Sequence, residues 1–184
     1  MSRTLVAMVT VGTLLAAPAH AASWSLGTHL GFSTLKPELS HGGSSSVLSW
    51  PASTFAYQPG IRIGFGDSRH AHEVQLDSGL FSIDEAGSTL TLFTASLGYQ
   101  HAFAAQRSTS PFAAAGLGLY REGGAALTST ALTFGGGLGV RHVVGGDHGD
   151  LRAELRVDRM HHDDTLGRPA INTVSVRLGF DLWL

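Results

Sequence analysis

The chain has 184 residues, no cysteine, 24 glycines and a formal net charge of −2 from 12 basic and 14 acidic side chains. A disulfide-stapled scaffold is excluded, and the mildly acidic balance, with Lys36 the sole lysine, argues against nucleic acid as a partner. Mean hydropathy of +0.12 is too low for a helical membrane protein, but membrane-crossing β-strands escape that measure, needing only about 9 to 11 residues of which every second is apolar.

The opening MSRTLVAMVTVGTLLAAPAHA joins Arg3, an apolar stretch from Leu5 to Ala17, and the small-x-small ending Ala19-His20-Ala21. This is the pattern of a secretory signal peptide cut after Ala21, and the stretch falls short of the about 20 residues of a spanning helix. Residues 1–21 are therefore expected to be removed, leaving one domain over 22–184, since no internal repeat or linker marks a second.

From Ser23 to Leu35 the residues alternate, with Trp24, Leu26, Leu30 and Phe32 on one face and Ser25, Gly27, His29, Gly31 and Ser33 on the other. That is a first strand. Residues 36–53 read as a long loop, and Thr54 to Gly66 as the second strand, Phe55, Tyr57, Ile61, Ile63 and Phe65 opposing Gln58, Gly60, Arg62 and Gly64, with a bulge at Pro59. In the third strand, His72 to Ile83, Val74, Leu76 and Leu80 oppose Glu73, Gln75, Asp77 and Gly79. The fourth, Thr89 to Phe103, sets Leu97, Tyr99 and Phe103 against Ser96, Gly98 and Gln100. PFAAAGLGLYR, ALTFGGGLGVRHV, LRAELRVDR and the terminal TVSVRLGFDLWL complete eight strands. GDSR, AAQRSTS and VGGDHGD form short turns on one side, with longer loops on the other. With no helical period anywhere, the fold class is all-β, an antiparallel up-and-down meander.

A soluble barrel with an apolar interior and a transmembrane barrel with a polar one both fit that alternation, and the minor faces separate them. They carry Arg62, Arg141, Arg152, Arg156 and Arg177 against Glu73, Asp77, Glu154, Asp158 and Asp181, with no lysine among them. Arginine's planar fork suits enclosed pairs with carboxylates, and glycine leaves room for long side chains. These ten, with Gln58, Gln75 and Gln100, are expected to form an ion-pair network filling a lumen closed to ions, the Arg152 to Asp158 strand reaching Arg141 on one side and Arg177 or Asp181 on the other. Trp24, Phe65, Tyr99 and Phe112 fall near the short-turn ends, and Phe55, Tyr57, Phe93 and Tyr120 toward the loop side, as two interfacial girdles, although Phe112 and Tyr120 have the inward parity.

The signal peptide, the eight alternating strands, the PFAAAGLGLYR and LRAELRVDR segments and the terminal alternation together resemble the small outer-membrane barrels of the OmpA/OmpX and opacity-protein type of Gram-negative bacteria. The resemblance implies an eight-stranded transmembrane β-barrel, exported to the outer membrane through a cleaved signal peptide, monomeric and without cofactor. It also implies that the outer-membrane assembly machinery reads the last strand. Val176, Leu178, Phe180, Leu182 and Leu184 stand as that assembly signal, with Leu184 where the family usually ends in phenylalanine.

Enzymatic readings find little footing. His161, His162, Asp163 and Asp164 could hold a metal only if the loop folded to converge them, because neighbours on a strand point opposite ways. Barrels that hydrolyse lipid A acyl chains carry a serine two residues after a histidine here, and this chain has Asp163 and Asp164 in those places, so the nucleophile is missing. Lys36, Arg121 and Arg159 share outward parity at the loop end and are candidates for contact with lipopolysaccharide phosphates, against simple snorkelling to water. The function expected is a closed outer-membrane barrel with a structural or surface-interaction role, no catalytic site and no cofactor. The alternatives are a narrow pore and a lipid A-modifying enzyme.

Overall fold

In a computed structural model the described residues form nine strands: β1 (Ser23–Pro37), β2 (Ser45–Ser49), β3 (Ile61–Gly66), β4 (His72–Glu85), β5 (Ser88–Ala102), β6 (Thr109–Gly123), β7 (Thr128–Val144), β8 (Gly149–His162) and β9 (Ile171–Trp183). The structure describes residues 23–38, 43–55, 58, 60–67, 71–85, 88–123, 128–146, 148–162 and 169–184. The expected signal peptide, Tyr57, Pro59, Asp163 and Asp164 lie outside the described residues.

All pairings are antiparallel, β3 through β9 are neighbours in chain order, and β1 pairs β9 from Ser25↔Trp183 to Pro37↔Ile171, which closes the sheet. β2 and β3 share the other edge of β1, β2 along Gly31–Leu35 and β3 along Ser23–Gly27. They are the two ends of one broken stave, so the nine strands make an eight-stave barrel.

This corrects the second expected strand. Among its described residues only Ile61–Gly66 joins the sheet, and the preceding loop contains β2. On β1 only Thr28, His29 and Leu30 separate the two pairings, whereas residues 50–61 separate Ser49 from Arg62, so the surplus chain must leave the wall. Outside lies the apolar face, where unpaired backbone is costly; the surplus turns inward, and Ala52, Ser53, Thr54, Phe55 and Gln58 are fully buried in the lumen. Phe55 is therefore a lumen residue and not part of an outer girdle. Period-two alternation persists through the segment by coincidence, because Thr54 and Gln58 serve the lumen as polar groups together with Phe55.

The unbroken strands run from 13 to 17 residues, beyond the about 11 that a tilted strand needs to cross hydrocarbon. They consume much of the expected long loops, and two connections shrink to residues 86–87 and 124–127. At the opposite end the β7–β8 turn uses Gly145 and Gly146 at φ of 66° and 67°, a left-handed pair that residues with a Cβ disfavour.

Burial is inverted relative to a water-soluble protein. Leu26, Leu30, Phe32, Leu76, Leu117, Phe134, Leu155, Val176, Leu178 and Phe180 all stand exposed around the outside, while each of the ten charged residues assigned to the minor faces is at most 4% exposed. Apolar-out and polar-in is the arrangement that a barrel adopts in a bilayer, where the solvent is hydrocarbon. At the short-turn rim Trp24 packs edge-on to Phe65 with ring centroids 4.0 Å apart, and Tyr99 and Phe103 are exposed beside them. Phe112 points inward and packs with Ala102 and Ala114 at the base of the lumen.

Candidate functional site

The lumen is built in layers, each created by inward-facing positions that the strand period brings to one level. Nearest the short turns is an ionic cluster. Arg152 from β8 donates to Glu73 Oε2 at 2.7 Å and to Asp150 Oδ1 at 2.7 Å, and its Nε lies in an ion pair 2.5 Å from Asp181 Oδ2. Arg62 from β3 pairs with the same Asp181 and lies 3.9 Å from Glu73. Gln100 Oε1 accepts from Arg152 at 2.9 Å, and the Trp183 indole N–H donates to Asp150 at 3.0 Å. The cluster thus ties β3, β4, β5, β8 and β9 across the interior.

A second cluster stands above it. Arg156 donates to Glu154 at 2.8 Å and to Asp158 at 3.0 Å, its own neighbours one pleat away on β8, while Arg177 from β9 reaches the other Glu154 oxygen. Glycine makes both clusters possible. A Cβ on Gly137 would stand 2.5 Å from Glu154 Oε1 and 2.6 Å from Arg156 Cγ, and those on Gly27 and Gly135 would collide with Asp181 and Asp158.

The inward segment closes the upper lumen. Arg177 Nη1 donates to the carbonyls of Ser53 at 3.1 Å and Thr54 at 3.0 Å, Thr54 donates to Asp77, and Gln58 donates to Thr133. The Phe55 ring lies 5.5 Å from the Arg156 guanidinium, within cation–π range. It packs with Ala131 and Met160, flanked by Leu35, Tyr120 and Ile171. Its seat is the bare backbone of β6: a Cβ on Gly118 would meet the Phe55 ring at 2.6 Å, and one on Gly116 would meet Thr54 Cγ2 at 3.0 Å.

All ten expected lumen residues are inside, and Asp77 has partners of a different kind from those expected. Asp77 accepts hydroxyls, from Thr54 and from Ser96 at 3.2 Å, instead of an arginine fork. Arg141 donates to Ser110 Oγ at 3.1 Å. One inward charged residue escaped the sequence reading. Asp150 was hidden in the glycine-rich turn VGGDHGD, although its parity with Arg152 was there to be counted. His29 has inward parity and is 1% exposed, its ring seated against Gly179 with neither nitrogen hydrogen-bonded among the described residues.

At the loop rim, Lys36 and Arg121 are exposed on the outer surface. Arg159 is different: Glu38 holds it through contacts of 2.5 and 2.8 Å, with Asn172 bridging to both. Those hydrogen bonds, that from Arg159 foremost, keep the Glu38 carboxyl below the usual range. The three candidate phosphate contacts are thus two open cations and one neutralised by its own chain. His161 is exposed on β8, and among the described residues no group of three potential ligands gathers to hold a metal.

No family's sequence profile and no curated protein matches the chain. Solved structures do match in fold. Neisserial surface protein A superposes with a TM-score of 0.60 at 18% identity, over 88% of this chain and 97% of that one. The outer membrane protein OprG of Pseudomonas aeruginosa matches at 10% identity and TM-score 0.42 over 89% and 95%, and the N-terminal β-barrel domain of OprF from the same organism at 16% and 0.41 over 86% and 97%. The fold is that of the small eight-stranded outer-membrane barrels.

Proposed function

We propose that this chain is an outer-membrane protein whose barrel is closed and whose work is done at its surface, as a structural or surface-interaction element and not as a pore or an enzyme. The observation that carries the reading is the filled lumen: two arginine–carboxylate clusters below and Ala52 to Phe55 with Gln58 above leave the axis occupied by side chains held through several strands. With eight staves the interior is only wide enough for side chains, and charges paired in this way present no free path to an ion.

Export through a signal peptide cut after Ala21 and assembly through the terminal strand belong to the same proposal. So does contact of Lys36 and Arg121 with lipopolysaccharide phosphates, for which their exposure at the loop rim is the support. Planar-bilayer recording tests the closed core: the purified protein is expected to insert without producing a steady conductance. A stable open channel would replace this reading with the narrow pore.

A further inference from the structure

On the outside of the short-turn rim the barrel sets two histidines side by side. His72 opens β4, His101 lies near the end of β5, and the two are direct partners in the register. Their neighbours Glu73 and Gln100 are buried in the lumen, so both imidazoles take the outward parity; His72 is exposed and His101 half-buried. The Ala102 N–H donates to the Ala71 carbonyl at 2.8 Å, which makes those two the hydrogen-bonded pair and His72 with His101 the adjoining non-hydrogen-bonded one. That is the closer kind of opposed pair, with Cα atoms about 4.5 Å apart and side chains nearer to each other.

The two ring centroids are 4.7 Å apart and the planes are inclined at 38°, neither parallel nor edge-on. Two imidazoles on one tetrahedral metal ion, with metal–nitrogen bonds of about 2.0 to 2.1 Å, have ring centres about 5 Å apart, so a small swing of the exposed His72 ring reaches that spacing. The surroundings prepare the nitrogens as well. Tyr99 Oη lies 2.6 Å from His72 Nδ1. With Nδ1–H donating to the phenol oxygen, the lone pair stands on Nε2, which is how ligating imidazoles are held by an outer partner. His101 is flanked by the His72 ring and, edge-on at 4.8 Å, by Phe103. Its Nδ1 is buried and has no hydrogen-bond partner among the described residues. A polar nitrogen that has lost water without gaining a partner is costly, and a cation accepting its lone pair removes that cost.

We propose that His72 Nε2 and His101 Nδ1 are the two protein ligands of a metal site on the outer short-turn rim, with water in the remaining positions. Two neutral imidazoles suit Zn²⁺ or Cu²⁺ and not Ca²⁺ or Mg²⁺, which take oxygen ligands. The ion joins β4 to β5 where both strands approach their turns, and no member of the lumen network takes part, so the site is independent of whether the core is closed. His142 marks the contrast on the same rim. It is exposed, but its register partners are Thr109 and Leu151, and its Nδ1 is hydrogen-bonded to the Thr109 hydroxyl at 2.7 Å.

The test uses the protein produced without a histidine tag and folded in uncharged detergent micelles, titrated with Zn²⁺ by calorimetry and with Cu²⁺ by electron paramagnetic resonance. Wild type is expected to bind one ion per chain at this site, with coupling to two imidazole nitrogens in the copper spectrum. His72→Ala and His101→Ala should each weaken Zn²⁺ binding at least about tenfold and remove the two-nitrogen signature, and His142→Ala should change neither. Heat-dependent gel migration checks folding of every variant. One that does not fold is replaced by His72→Gln or His101→Gln, whose amide keeps a polar side chain but lacks the imidazole lone pair, so loss of binding is separated from loss of the barrel. The proposal is overturned if the folded His72 and His101 variants bind Zn²⁺ as wild type does, or if wild type binds no more tightly than a chain lacking both rings.

Discussion

Replacing Glu154 by alanine isolates what holds the lumen. The residue is 3% exposed, and its carboxylate is, among the described residues, the only hydrogen-bond acceptor of both the Arg177 Nη2 group and Arg156 Nη1, the latter at 2.8 Å. At about 3 Å and an effective dielectric of about 20 each contact carries roughly 5 to 6 kcal/mol of attraction, against roughly 1.4 in bulk water. Most of that offsets the desolvation of the ions, so the measured loss is set by an Arg177 left with no carboxylate and only the Ser53 and Thr54 carbonyls, and an Arg156 left with Asp158 alone, about 3 to 5 kcal/mol for a dry site. The assay is reversible urea unfolding in phospholipid vesicles, followed by tryptophan fluorescence and by gel migration. Pairing the substitution with Arg177→Met removes both charges. If the loss comes from orphaned charge, the double variant should recover part of it, which a double-mutant cycle reads directly. A Glu154→Ala loss below about 1 kcal/mol would refute the reasoning, because it would mean that water screens the cluster as it screens a surface pair.

Leu178, exposed on the outer face of β9, tests the facing of the terminal strand: Leu178→Arg should cost up to about 2 to 4 kcal/mol, less if it lies near an interface, and should lower the amount recovered in the outer membrane. Gly118→Val places a side chain where the Phe55 ring sits, and overpacking should cost about 1 to 3 kcal/mol in the same unfolding assay. Adding Phe55→Ala should relieve that cost, and the absence of any coupling would show that the ring is not seated there. At the rim, Lys36→Gln with Arg121→Gln should lower the lipopolysaccharide that co-purifies with the protein. Glu38→Gln, by releasing Arg159, should raise it with a stability change under about 1 kcal/mol; unchanged lipid in both variants leaves snorkelling as the account of these cations.

The alternation of Trp24 to Phe32 and of Val174 to Leu184, the glycines opposite long side chains, and the arginines without lysine were all legible in the sequence, because a strand's period and the chemistry of a side chain are local properties. They were enough to separate an inverted barrel from a soluble one and to place Arg62, Glu73, Arg152, Glu154, Arg156, Arg177 and Asp181 on one face. What tertiary structure decided is which of them meet. Arg152 gathers Glu73, Asp150 and Asp181 from three strands, and Asp77 turns to Thr54 and Ser96, because barrel register sets the level at which each inward residue arrives. The break in the second stave was equally hidden: from Thr54 onward the residues alternate well enough for a strand, and only matching residues 50–61 to Thr28, His29 and Leu30 across β1 reveals a surplus. Chain in excess of its neighbour's length has to go somewhere, and the direction it took, into a polar lumen and away from hydrocarbon, depended on the wall around it and on the arginine waiting to bind its carbonyls.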